Sequence, residues 1–343
     1  MKIIVDAFGG DKAPTEILKG CAKAVAEFGI NIVLVGNEEI IRKVSSDKNI
    51  LLYHMEIIDT KSVISMNDEP SEIMKSKNDS SMAVGLKLLS ENKGDACISA
   101  GNSGALAMGA TFIIKRLKGI KRCAFAPIIP KKDSFFMLID GGANVECRPE
   151  MLSQFALMGS LYMKKAMKIS SPKVGLVNVG SEEHKGGTFQ NEVYKKLAAF
   201  GKKGIINFIG NVEARNIPEG EANVVVADGF TGNIVLKLYE GVAKFILSEL
   251  KTVFSKNFKT KIASMLLLND LKKFKSRFNY KEYGGAPILG LKKPIFKAHG
   301  NSDAETFKNA IKQTVDYVNG NIGKELENSL NALDFSKDNL NGI

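Results

Sequence analysis

Short apolar runs alternate with longer stretches in which apolar positions recur every three or four residues. The runs near 2–5, 31–35, 55–58, 95–99, 122–128, 135–139, 173–177, 205–209, 223–227 and 294–297 predict strands, being rich in aliphatic side chains and bounded by turn formers. Between them the spacing predicts helices over 14–28, 37–45, 70–76, 81–92, 103–115, 149–167, 188–200 and 231–250. Such alternation implies parallel strands joined by crossover helices, hence an α/β sandwich. No internal repeat or low-complexity linker divides it, so residues 1–335 read as a single α/β domain and the polar 336–343 as a frayed tail.

Several strand-like runs end in turn-forming residues directly before a helical pattern: DAFGGDKAP (6–14), AGNSGA (100–105), DGGAN (140–144), NVGSEEHKGG (178–187) and DGFTGN (228–233). In the last, Gly229 and Gly232 allow backbone shapes that other residues resist, and Thr231 can cap the helix. The free N–H groups and positive dipole end of that helix favour an anion of phosphate size. A single motif of this kind is as often an ordinary capped turn. In open parallel sheets, however, ligands bind beyond the carboxyl ends of strands, so the five loops could converge on one crevice.

One segment breaks the alternation. Residues 246–278 keep a helical pattern where a strand is due, and 251–277 holds eight basic residues against Asp270 alone, a local +7 in a chain of net +11. Phe258, Ile262, Met265 and Leu266 fall on one apolar side. A basic helix with an apolar face suits an anionic membrane surface or a partner, and a helical hairpin packed in a dimer is the equal alternative. The insertion is assigned to 246–282. Nucleic acid is disfavoured, because the charge is local and no binding module is recognisable.

Composition adds bounds. A chain of 343 residues with 44% hydrophobic and 25% charged residues matches a soluble globular protein. The opening apolar run stops at Asp6, too soon for a secretory signal, and no apolar stretch approaches the roughly 20 residues of a membrane span, so a cytoplasmic location is expected. Cys21, Cys97, Cys123 and Cys147 read as free thiols, without zinc or disulfide spacing, and no local signature pairs one with His54, His184 or His299.

The loops DAFGGDKAP, SAGNSGA, DGGANVECRPE, VGSEEHKG, IPEGEANVVVADGFTGNIVLK, YGGAPILG and KAHGNSDA, in that order, resemble the phosphate acyltransferase family, over residues 1 to about 320. The resemblance implies a Rossmann-like α/β/α sandwich similar to the isocitrate and isopropylmalate dehydrogenases and the phosphotransacetylases, with a protruding helical hairpin. It implies transfer of a long-chain fatty acyl group from acyl carrier protein to inorganic phosphate, giving acyl phosphate for phospholipid synthesis. It further implies a homodimer with its site near the subunit interface, on the inner face of the cell membrane. The next partner would be a membrane-bound glycerol-3-phosphate acyltransferase. Two departures stand out: Phe8 replaces an expected Met, and Gly187 an expected polar residue after Lys185 and Gly186.

Phosphate is a competent nucleophile and thiolate a good leaving group, so direct attack on a thioester needs positioning and oxyanion stabilisation rather than a covalent intermediate, metal or cofactor. Lys185 leads the candidates: a loop lysine is commonly a solvated charge, but the family motif favours an ammonium that balances phosphate or polarises the thioester. Asn233, near the start of the 231–250 helix, could donate to phosphate or oxyanion, with helix capping as its structural alternative. His299 could protonate the departing thiolate or serve only its turn. Asn102 and Ser103 offer a second helix start, Gly9 and Gly10 a close backbone approach, and Asn144 and Asn178 a polar floor. Asp6 and Asp228 could orient the lysine or fix loop amides. The rivals are a coenzyme A-dependent phosphotransacylase and a non-catalytic anion-binding peripheral membrane protein. A nicotinamide-dependent dehydrogenase is disfavoured by the absence of GxGxxG after the first strand.

Overall fold

The computed structural model describes residues 1–132, 134–277 and 284–332. The proposed tail at 336–343 and the last residues of the 246–282 insertion lie outside the described residues.

The strands are β1 (Lys2–Asp6), β2 (Asn31–Gly36), β3 (Met55–Asp59), β4 (Ala96–Ser99), β5 (Ala124–Phe125), β6 (Ile128–Lys131), β7 (Ser134–Ile139), β8 (Lys173–Asn178), β9 (Asn207–Glu213), β10 (Val224–Val226), β11 (Gly285–Leu289) and β12 (Ile295–Ala298). The helices are α1 (Thr15–Phe28), α2 (Glu38–Asp47), α3 (Ser81–Ser90), α4 (Ser103–Gly109), α5 (Pro149–Lys165), α6 (Thr188–Lys202), α7 (Gly229–Ser255), α8 (Phe258–Leu266), α9 (Leu268–Arg277), α10 (Ala304–Asn319) and α11 (Ile322–Ala332). They form two sheets, one ordered β3-β2-β1-β4-β12-β11-β5 and the other β6-β7-β10-β8-β9. One continuous buried cluster spans both, with Ile3, Val5 and Ile98 of the first sheet, Met137, Ile139 and Val224 of the second, and Phe155 on α5 among its members. This is the expected α/β sandwich, built on two parallel-rich sheets.

Several elements differ in detail from the sequence reading. The apolar run 122–128 is not one strand: β5 pairs antiparallel with β11 in the first sheet, and β6 pairs antiparallel with β7 in the second. Pro127, which has no N–H for a ladder, lies between them where the chain changes sheets. β11 goes unpredicted because Gly285 and Pro287 break its apolar run, and it lies antiparallel to both neighbours. Within the 246–278 pattern the helices are separate. α7 ends at Ser255, and the Asn257 side chain accepts the Thr260 N–H to start α8. The 70–76 prediction becomes a 3-10 turn at Pro70–Met74, and the 103–115 helix closes in a π turn at Ala110–Ile114.

The topology aligns the predicted loops. Asp6, Ser99 and Ala298 end three adjacent strands of the first sheet, β1, β4 and β12. The loops after β7, β10 and β8, which hold Asn144, Asp228 and Lys185, leave adjacent strands of the second.

Candidate active site

A cavity of about 530 Å³ lies between the two groups of loops. Ser103, Lys297 and His299 line it from the first sheet, Gly141 to Asn144 from the second, and the inner side of α7 contributes Asn233, Leu236, Lys237, Tyr239, Glu240 and Ala243. Positions 233, 237 and 240 are spaced as one helical face, so the polar groups follow each other up the cavity wall. Leu106, Ile128, Ile129 and Pro130 give it apolar sides.

α7 is fixed at its start by its sequence. The Asp228 carboxylate accepts the Thr231 N–H at 2.8 Å and the Thr231 hydroxyl at 2.9 Å, and Gly229 N–H donates to the Asn144 carbonyl at 2.8 Å. A Cβ at Gly229 would meet that same carbonyl oxygen at 2.4 Å, which is why glycine stands there. Asp140 organises the opposing loop: its carboxylate accepts N–H groups from Phe125, Gly142, Ala143 and Asn144. Burial pushes the Asp140 carboxyl upward in pKa and these bonds pull it back.

Among the predicted residues, Ser103, Asn144, Asn233 and His299 line the cavity. The Asn233 side chain is exposed and makes no hydrogen bond among the described residues, whereas the Asn144 amide donates to the Cys123 carbonyl and to Asp140, each at 2.8 Å. Asn102 caps α4 through Ala105 N–H and donates to the carbonyls of Ser65, Met66 and Asp68. Asp6 is buried behind the lining, accepting from the Ser81 and Ser99 hydroxyls at 2.6 Å each and from Phe8 N–H. A Cβ at Gly9 would meet Asp6 Oδ2 at 2.6 Å, and Gly10 has φ +102°. Lys185 does not line the cavity: its ammonium is 3.9 Å from Glu182, and Asn178 donates to the Lys185 carbonyl at 2.9 Å.

The structure adds Lys237, Glu240 and Lys297, which the sequence reading missed. Lys297 Nζ donates to the carbonyls of Ala100 at 3.1 Å and Ala298 at 2.6 Å. Burial lowers its pKa to about 8, opposed by the nearby Asp6 carboxylate. His299 Nε2 is 3.7 Å from Glu240, and burial outweighs that carboxylate to lower the imidazole's pKa. Lys237 Nζ is 3.3 Å from Glu240. A lysine inside the apolar run IFKA, and Asn, Lys and Glu at i, i+4 and i+7 after DGFTG, were the available signals. Among the described residues, no three His, Cys, Asp or Glu side chains gather as metal ligands.

A family model described as fatty acid synthesis protein matches residues 1–325. The chain is similar to the phosphate acyltransferase of Clostridium tetani, with 47% identity over 96% of this chain and 98% of that protein. The chain belongs to the phosphate acyltransferase family. Its members are acyl-transferring enzymes. The family's Alkaliphilus oremlandii phosphate acyltransferase is 45% identical, over 97% of this chain and 98% of that one. The fold is similar to that of a phosphotransacetylase from Streptococcus pyogenes, with TM-score 0.62, 17% identity and coverage of 93% of this chain and 94% of that one. In this family member, the cavity sets two ammonium groups, one of them beside the Glu240 carboxylate, an amide and an imidazole against apolar walls, so it can hold an anion beside an apolar chain.

Proposed function

We infer that the enzyme moves a long-chain fatty acyl group from acyl carrier protein to inorganic phosphate, supplying acyl phosphate for phosphatidic acid and phospholipid synthesis. The observation that carries this reading is the cavity's pairing of Lys237, Lys297, Asn233 and His299 with aliphatic walls in a member of this family. A phosphate oxygen attacks the thioester carbonyl carbon, the tetrahedral oxyanion takes a hydrogen bond from Asn233, and collapse breaks the C–S bond. The thiolate leaves and is protonated through His299, which relays the proton that the attacking hydrogen phosphate gives up. Ser103, which lines the cavity at the start of α4, holds the incoming anion in this reading. Lys185, on the loop next to the start of α7, supplies further positive charge.

Two surfaces support the rest of the reading. Phe230, Ile234, Leu238, Val242 and Phe245 form an exposed apolar stripe along α7, suited to a second copy of the chain in a homodimer. On α8, Phe258, Ile262, Met265 and Leu266 are 77%, 39%, 66% and 81% exposed, an apolar face among lysines suited to peripheral contact with an anionic membrane. No helix among the described residues is long and apolar enough to cross a membrane. Delivery of acyl phosphate to a membrane-bound glycerol-3-phosphate acyltransferase fits such a contact.

The test is acyl phosphate formation from inorganic phosphate with palmitoyl acyl carrier protein or palmitoyl coenzyme A as donor. Product from the carrier protein alone is expected. Product from both donors would favour a broader phosphotransacylase, and product from neither would overturn the reading.

A further inference from the structure

Between Asp95 and Asp133 the chain has no acidic residue but seven Lys and Arg, and none occurs between Glu282 and Asp303 either. The fold brings these two acid-free stretches side by side: Arg116 bridges Leu291, Lys292 N–H donates to the Lys115 carbonyl at 3.0 Å, and Leu117 N–H donates to the Gly290 carbonyl at 3.0 Å. Lys115, Lys118, Lys121, Arg122 and Lys292 are exposed, and the half-buried Arg116 rests its guanidinium on the Lys121 carbonyl. No ion pair joins any of the six to a carboxylate among the described residues. Several surface lysines elsewhere are matched, as in Lys23 with Glu305, Lys77 with Asp68 and Lys173 with Glu221. The patch is therefore a concentration of uncompensated positive charge, distinct from the lysines of α8.

It also opens onto the reaction cavity. Thr111 lines both the cavity and the depression beneath Lys115, Arg116 and Lys292, and Arg122 lines the cavity itself. The adjoining Cys123 carbonyl accepts the Asn144 amide, and Gly142 packs against the Asn233 side chain, so Arg122 stands at the Asn233 end.

We propose that this patch is the docking surface for the acidic carrier protein, with Arg122 receiving the phosphodiester of the arm that carries the acyl thioester. The assignment rests on the donor inferred above. Six unpaired cations facing an acidic partner accelerate and orient encounter, and a planar guanidinium at the cavity mouth suits a phosphodiester. A lipid surface fits less well, because the apolar insertion it needs is on α8.

The experiment compares the full-length enzyme with a triple variant, Lys118→Glu, Lys121→Glu and Lys292→Glu. These side chains are exposed and outside the cavity lining, so the fold and the chemistry should persist, and Lys118→Glu alone is a milder check. The KM for palmitoyl acyl carrier protein should rise about tenfold or more, and the salt dependence of kcat/KM should flatten. Turnover of a short acyl-pantetheine thioester should stay unchanged. An unchanged KM for the carrier protein overturns the proposal. So does an increase produced instead by Lys256→Glu, Lys259→Glu and Lys261→Glu on the hairpin. If the triple variant loses only its binding to anionic phosphatidylglycerol vesicles, the patch belongs to lipid. Calorimetric titration with unloaded carrier protein separates docking from the donor reading. Wild-type enzyme that makes acyl phosphate from coenzyme A thioester yet never binds carrier loses the docking surface and keeps the cavity's chemistry.

Discussion

Gly232 and Asp140 meet backbone to backbone: a Cβ at Gly232 would stand 1.9 Å from the Asp140 carbonyl oxygen. Neither α7 nor the 140–144 loop can yield cheaply, since Asp228 caps the one and Asp140 ties the other. Gly232→Ala should therefore cost about 1–3 kcal/mol in urea unfolding through overpacking, and lower turnover by misplacing Asn233. Gly241, further along the same helix, has nothing within 4 Å of its would-be Cβ. Gly241→Ala should raise stability by up to about 1 kcal/mol, and equal destabilisation by both variants would defeat the argument.

Lys297 links stability to pH. Its folded pKa of about 8 lies below the ordinary 10.5, because burial penalises the ammonium more than Asp6 supports it. Between these two values the unfolded chain holds a proton that the folded chain has released, so this group's contribution rises with pH across the window and is lost as pH falls through 8. Lys297→Met should flatten the difference in unfolding free energy between pH 8 and pH 10 by on the order of 2–3 kcal/mol. Identical pH slopes in the two proteins would show that the lysine is not held as described.

Two asparagines on the cavity wall should behave oppositely. Asn144→Ala removes two bonds that pin its loop to Cys123 and Asp140, and should cost about 1–3 kcal/mol of stability. Asn233 makes no hydrogen bond among the described residues, so Asn233→Ala should leave the unfolding midpoint in place and cut kcat by roughly 10²-fold or more. A stability loss without a rate loss at Asn233 would make it a structural residue.

How much was legible follows from where the determinants lie. The start of α7 was readable because DGFTGN carries its cap and its close-packing glycines in adjacent positions. β11 was not, because Gly285 and Pro287 oppose strand propensity locally while pairing with β12 and β5 overrides it. The division of 122–128 between two sheets depends on partners far away in sequence, with Pro127 as its only local trace. Asn102 and Asn144 were visible as polar groups at strand ends, but the carbonyls they hold belong to distant segments. Lys297 looked like one charge in a short strand, and its burial next to Asp6 arises only when β12 packs beside β4.

Lys185 tests the loop outside the cavity. Its side chain is 44% exposed and its contact with Glu182 at 3.9 Å contributes little to stability. Lys185→Ala should thus unfold at the wild-type denaturant concentration, while turnover falls more than tenfold if the ammonium serves phosphate or thioester. Near-normal turnover would remove it from the mechanism.

The two exposed apolar surfaces predict separable losses. Leu238 sits mid-stripe on α7 at 65% exposure, and Leu266 near the end of α8 at 81%. A glutamate at Leu238 would place a charge within the proposed dimer contact, so Leu238→Glu should shift the mass in solution from dimer to monomer. Leu266→Glu should leave the dimer intact and weaken sedimentation with anionic vesicles, to a degree that added salt deepens. If Leu266→Glu instead dissociates the dimer and vesicle binding survives in whatever remains, the hairpin is an assembly element, and the membrane role passes elsewhere.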